Sequence, residues 1–145
     1  MSNLKFSMVN ERKLFEIPDA VCEEMLAKGT AALAECYPKA GGENGFAVAV
    51  LTSQGNIYTG ASYRSDTATL TMHSEAVALA HAAQHGEKEI IAITGPNCHI
   101  CKQLIWESSL NSGIEVQVIM KEEGQLKKVP ISQMMPYPWP AKKQS

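Results

Sequence analysis

The run Glu89–Thr94 (EIIAIT) is apolar or β-branched at every position after its acidic start, with no alternation. A strand of that kind is covered on both faces. That calls for helices on either side of a sheet, and the flanking sequence supplies them. His73–His85 is rich in alanine and leucine, both strong helix formers, with Thr71 as its expected cap and Gly86 as its stop. Cys98 to about Leu110 reads as the next helix, with Asn97 as its expected cap and Asn111-Ser112-Gly113 as its close. Glu115–Met120 (EVQVIM) is then a strand, and Leu126–Ile131 (LKKVPI) its hairpin partner across the turn Glu122-Glu123-Gly124-Gln125.

Upstream, Pro18-Asp19 opens a helix from Ala20 to about Cys36, with Val21, Met25, Leu26, Ala32 and Leu33 near helical spacing. Gly29 weakens it, and Tyr37-Pro38 with Gly41-Gly42 stop it. Phe46–Leu51 (FAVAVL) and Ile57–Ala61 (IYTGA) form a hairpin around Ser53-Gln54-Gly55-Asn56. Residues 62–72 read as a loop, and Ser132–Met135 as one helical turn before the tail PYPWP. The order helix, hairpin, helix, strand, helix, strand, strand predicts a three-layer α/β/α fold around a five-stranded mixed sheet, its last two strands antiparallel. Residues 1–18 are expected to be an N-terminal extension or short strand, and 19–145 one domain.

Composition narrows the function classes. The chain has 145 residues, 45% apolar and 19% charged, enough to bury a core. A formal net charge of −2 argues against a protein that works by neutralising nucleic-acid phosphates, and the pairs Lys127-Lys128 and Lys142-Lys143 are too short to make such a patch. No segment approaches the ~20 apolar residues of a membrane span. The N-terminus lacks the pattern of a secretory signal, so the expectation is a cytoplasmic protein with reduced cysteines and no membrane or nucleic-acid partner.

Two helix starts carry the chemistry. His73-Ser74-Glu75 opens one, and Cys98-His99-Ile100-Cys101 the next. Cysteines three apart in a first helical turn share a face, and helix N-termini favour thiolates. Side by side, the two starts offer one nitrogen and two sulfurs to a single metal. Three protein ligands are the mark of catalytic zinc, which keeps a fourth position for water. Glu75 is then placed to take and return protons. A structural zinc would call for a fourth ligand from Cys22 or Cys36, but these have no partner motif and read as buried thiols. A redox Cys-x-x-Cys would have no use for His73-x-Glu75 at the preceding helix start. His99 points off the shared face, and His81 and His85 are expected to be solvated.

His-x-Glu followed by Cys-x-x-Cys, each at a helix start, resembles the signature of zinc-dependent nucleoside and nucleobase deaminases. Over roughly residues 20–140 the chain is similar to the small cytidine deaminases, including the blasticidin-S deaminases. LTSQGNIYTG looks like their first hairpin, Lys102-Gln103 stands where they have Arg-Gln, and ISQMMPYPW resembles their closing tail. The resemblance implies a homotetramer whose subunits contribute to each other's sites, with one zinc per subunit held by His73, Cys98 and Cys101. It implies that Glu75 moves the protons of a hydrolytic deamination that releases ammonia. It also implies that the Ser74 backbone N–H contacts the ring carbonyl and that Trp139 stacks on the ring. The short Lys121–Gln125 connection favours a small free substrate over a polynucleotide.

The departures bear on substrate. Many relatives have Cys-Ala-Glu-Arg where this chain has His73-Ser74-Glu75-Ala76; the cation goes with a third thiolate, since His with two thiolates leaves the zinc site neutral. The family's ribose-binding Asn-x-Glu aligns with Ser62 and Arg64, and a guanidinium cannot accept from a hydroxyl. Arg64 is suited to a carboxylate or phosphate, or to pairing with Asp66 or facing solvent. The family's phenylalanine before the first strand aligns with Asn44, and Val-Gly-Ala-Ala becomes Phe46-Ala47-Val48-Ala49, so the pocket wall is rebuilt. The expected function is a zinc-dependent deaminase of a small amino-heterocycle: cytidine, cytosine, or a modified or analogue nucleoside. The alternatives are an aminonucleoside-antibiotic deaminase and a non-catalytic zinc protein on the same scaffold.

Overall fold

The computed structural model describes residues 4–38 and 45–143. Its elements are β1 (Phe6–Val9), β2 (Arg12–Phe15), α1 (Asp19–Ala31), β3 (Ala47–Thr52), β4 (Ile57–Ala61), α2 (Ser74–Gln84), β5 (Ile90–Thr94), α3 (His99–Ser112), β6 (Gln117–Glu122) and β7 (Gln125–Pro130). The main sheet has the order β4-β3-β5-β6-β7. Its one parallel pair is β5–β6, because α3 carries the chain back across the sheet between them. β6 and β7 are antiparallel. Their two-residue turn, Glu123-Gly124, has φ of 52° and 78°, the left-handed pair that suits a tight hairpin.

Both faces of the sheet are covered, as the uninterrupted β5 requires. Val48, Val50 and Val118 pack with Ala78 and Ala82 of α2 and with Ile105, Trp106 and Leu110 of α3. Ala49, Leu51 and Ile119 turn the other way, onto Cys22 and Met25 of α1. The alternation along β3 thus splits one strand between two cores. Cys22 and Cys36 are both buried.

Several local expectations are corrected. The first helix ends at Ala31, and Ala32–Glu35 form a 3₁₀ turn. The chain must leave the helix early so that Tyr37 N–H reaches Ser62 O and Tyr37 O accepts from Arg64 N–H, and the residue before Pro38 disfavours helix anyway. The strand expected at Glu115–Met120 begins instead at Gln117, because Glu115 is tied elsewhere. Its backbone N–H donates to Lys13 O, and its fully buried carboxylate is held by Arg12 Nε at 2.8 Å and Ser132 N at 2.9 Å. Phe6–Phe15 form a hairpin that docks on the α3–β6 junction, with Arg12 stacked 4.7 Å over Trp106. His81 and His85 are exposed, yet both rings lie 5.1 Å from Tyr58. Among the described residues, no helix is long and apolar enough to cross a membrane.

Candidate active site

Neither chemistry-bearing helix is capped as its sequence suggests. Thr71 Oγ1 is taken up within its own loop, accepting from Ser65 N and donating to Ser65 O. Asn97 turns its amide away from α3. The N-cap positions are His73 for α2 and Cys98 for α3, and neither helix has a side-chain cap hydrogen bond. The two helix starts therefore present uncapped N–H groups around their own ligand residues. Gly60 of β4 makes this placement possible. A Cβ there would lie 2.2 Å from Ala78 N and 2.5 Å from Ser74 O, so only glycine lets the first turns of α2 rest on the strand.

His73 Nδ1 lies 3.5 Å from Cys98 Sγ and 3.3 Å from Cys101 Sγ, and the three donor atoms are all within 4.8 Å of one another. Zinc–nitrogen and zinc–sulfur bonds of about 2.0 and 2.3 Å would fit such a triangle. Cys22 sits in the core under α1, and Cys36 Sγ is engaged with Phe46 O and Ser62, so neither joins the cluster. Burial, followed by the charge of Glu75, pushes the Cys101 thiol up. A dication reverses that balance, since a coordinating thiol loses its proton outright. The donor set suits a metal and is poorly arranged for a bare thiolate.

Glu75 is only 6% exposed, and both its oxygens are held. Ser74 Oγ donates to Oε1 at 2.9 Å, and Asn97 Nδ2 donates to Oε2 at 2.8 Å and to Thr94 O at 3.1 Å. Both amide protons of Asn97 go to acceptors, which fixes the amide orientation and leaves Oδ1 buried without a donor. Asn97 is the site residue that sequence reasoning does not find, because its side chain has the chemistry of a helix cap. The available signal was an amide standing directly before the first cysteine of the pair.

Beside the cluster lies a cavity of about 480 Å³. It is lined by His73, Ser74, Glu75 and Cys98 at the metal end and by Phe46, Ser62 and Arg64 among others on the β3–β4 side. Of the residues expected to touch substrate, these sites thus gather Phe46, Ser62, Arg64 and Ser74. Asn44 lies outside the described residues. Trp139 does not line the cavity of its own chain. Its carbonyl accepts from Gln103 Nε2 on α3, and its side chain is 78% exposed. Ser62 Oγ, buried, accepts from Phe46 N at 3.2 Å and donates to Cys36 Sγ at 3.7 Å.

Taken together, fold and donor set define a class: zinc-dependent hydrolases acting on carbon–nitrogen bonds in cyclic amidines. Residues 21–116 match the model of the cytidine and deoxycytidylate deaminase zinc-binding region, and the chain belongs to that family. No curated protein matches it. In fold it is similar to the crystal structure of cytidine deaminase from Burkholderia pseudomallei, with a TM-score of 0.67 and 19% identity over 81% of this chain and 98% of that one. Cytidine deaminase from Mycobacterium tuberculosis gives 0.66 and 18% over 81% and 95%. That from Mycobacterium leprae gives 0.64 and 20% over 79% and 96%.

Proposed function

We propose that this zinc deaminase acts on a small amino-heterocycle of the pyrimidine type, as a free base, a nucleoside or a nucleoside analogue. The observation that carries the reading is the convergence of His73, Cys98 and Cys101 within 4.8 Å beside a cavity that Glu75 also lines. Bound zinc supplies a Lewis acid that makes hydroxide available near neutral pH. Glu75 takes the proton of the attacking water on its carboxylate and delivers it to the ring nitrogen. The carbon–oxygen bond forms, the exocyclic carbon–nitrogen bond breaks, and the amino group leaves as ammonia with a further proton passed through Glu75. Asn97 and Ser74 keep the carboxylate in one orientation through the cycle. The uncapped Ser74 N–H at the start of α2 is suited to hold a ring carbonyl.

The protein is further proposed to be a cytoplasmic homotetramer, with Trp139 serving the ring of a neighbouring copy's site. Exposed apolar residues near the cavity, Phe46 at 69% and Tyr63 at 51%, support burial against another subunit.

The test is ammonia release by the zinc-loaded protein from cytidine, deoxycytidine, cytosine and blasticidin S. Turnover of at least one, abolished in Glu75→Ala with zinc retained, is the expected result. A zinc-loaded protein silent on all of them, or a fully active Glu75→Ala, overturns the reading.

A further inference from the structure

We propose that Arg64 forms an anion subsite in the cavity, so that the substrate bears a carboxylate or phosphate on the part of the molecule remote from the amino group; this rests on the deaminase reading above. Among the described lining residues, Arg64 and Glu75 are the ones that carry formal charge. They are differently employed. Both oxygens of Glu75 are occupied by Ser74 and Asn97. The guanidinium of Arg64 takes part in none of the ion pairs among the described residues, and Asp66, two positions on, does not reach it.

The loop that presents this cation is fastened on both sides of it. Arg64 N donates to Tyr37 O at 2.8 Å. Tyr63 and Met72 exchange backbone bonds at 3.0 and 2.8 Å, and Ser65 N donates to Thr71 Oγ1 at 3.0 Å. The base of the side chain is therefore held in place, and only the side chain's own freedom is lost on binding.

Among the described residues, the neighbouring wall offers a neutral sugar no charged acceptor. The Ser62 hydroxyl is committed to Phe46 and Cys36, and the one carboxylate among these lining residues belongs to the proton-moving end. A guanidinium only donates, and its planar fork matches the two oxygens of a carboxylate or phosphate. The positive charge at the β4 end and the metal centre at the helix starts thus select a ligand that is anionic at one end and an amidine at the other.

The experiment uses isothermal titration of the zinc-loaded full chain in a Glu75→Gln background that blocks turnover. The probes are cytidine, cytidine 5′-monophosphate and the 5′-carboxylic acid of cytidine. The expected result is that at least one anionic probe binds roughly ten- to hundred-fold tighter than cytidine, the range of a charge-assisted hydrogen-bonded pair, and which one does so identifies the anion. With Arg64→Gln added, that ratio is expected to fall to near one, while melting temperature and zinc content show that the variant is folded and loaded. Equal affinity for neutral and anionic probes, no binding of any probe, or a preference that survives Arg64→Gln overturns the proposal. Ammonia release by the wild-type chain is followed in parallel. Silence there with the Arg64-dependent preference intact sinks the deaminase reading and leaves the anion subsite standing.

Discussion

Asn97 Nδ2 stands 2.8 Å from Glu75 Oε2, joining residues 22 positions apart on either side of the metal cluster. The amide gives both protons to acceptors and leaves its own oxygen buried and unpartnered. An orphaned buried acceptor costs about 1–3 kcal/mol. A side chain kept at that cost directly before the ligand Cys98 is there to hold the carboxylate, and the first prediction follows. Asn97→Ala should lower kcat about 10–100-fold with little change in KM, because Glu75 gains freedom that the reaction does not tolerate. Melting temperature and zinc content should barely move. Steady-state kinetics beside calorimetry checks this; a variant with unaltered kcat removes Asn97 from the site's machinery.

Metal removal should stop turnover while leaving the fold. Neither of the two cores that hold the sheet contains His73, Cys98 or Cys101. Far-UV circular dichroism should survive chelation, and activity should return on adding zinc. Because burial and Glu75 hold the Cys101 thiol protonated, zinc uptake should release protons, and affinity should weaken as pH falls. Titration in weak buffer with a pH electrode reads the release.

Gly60→Ala tests the seat of α2. The added Cβ would meet backbone atoms of Ser74 and Ala78, not a yielding side chain. A loss of about 1–3 kcal/mol is expected, with weakened zinc binding because His73 moves with the helix. Denaturant unfolding and metal analysis report both effects.

Arg12→Ala should cost about 3–5 kcal/mol, although Arg12 does not line the cavity. It leaves the fully buried Glu115 without its cation and removes the guanidinium from the face of Trp106. Denaturant unfolding of the variant measures it, and replacing both residues by apolar ones should recover part of the loss.

The acid limb of stability should depend on Glu87. Hydrogen bonds from Thr52 first, then from Tyr58 and Asn56, hold this carboxyl below its ordinary 4.5. Its folded value lies below its unfolded one, so its contribution is present above about pH 4.5 and fades as pH falls through the folded value. Tyr58 is the mirror case: its bond to Glu87 raises it above the ordinary 10.0, so its contribution is lost as pH rises through the folded value. Glu87→Gln should flatten the melting temperature's dependence on pH below about 4.5. An unchanged slope shows that these bonds do not persist in solution.

What the sequence determined by itself is the layer pattern and the chemistry at the two helix starts. Both are written in short stretches of chain: an apolar run that must be covered on both faces, and ligands three apart that share one helical face. The tertiary structure decided the rest, because those choices rest on contacts between distant residues. Asn97 and Thr71 have the composition of caps, yet a carboxylate from another helix and a closed loop claim them. Glu115 leaves its expected strand for an arginine 103 positions away. Ser62 lines the cavity with its hydroxyl already spent on Cys36 and Phe46, while Arg64 beside it has no carboxylate partner among the described residues. Periodicity and capping preferences reflect the energetics of neighbouring residues; which polar group is left unpartnered is a property of the whole packed chain.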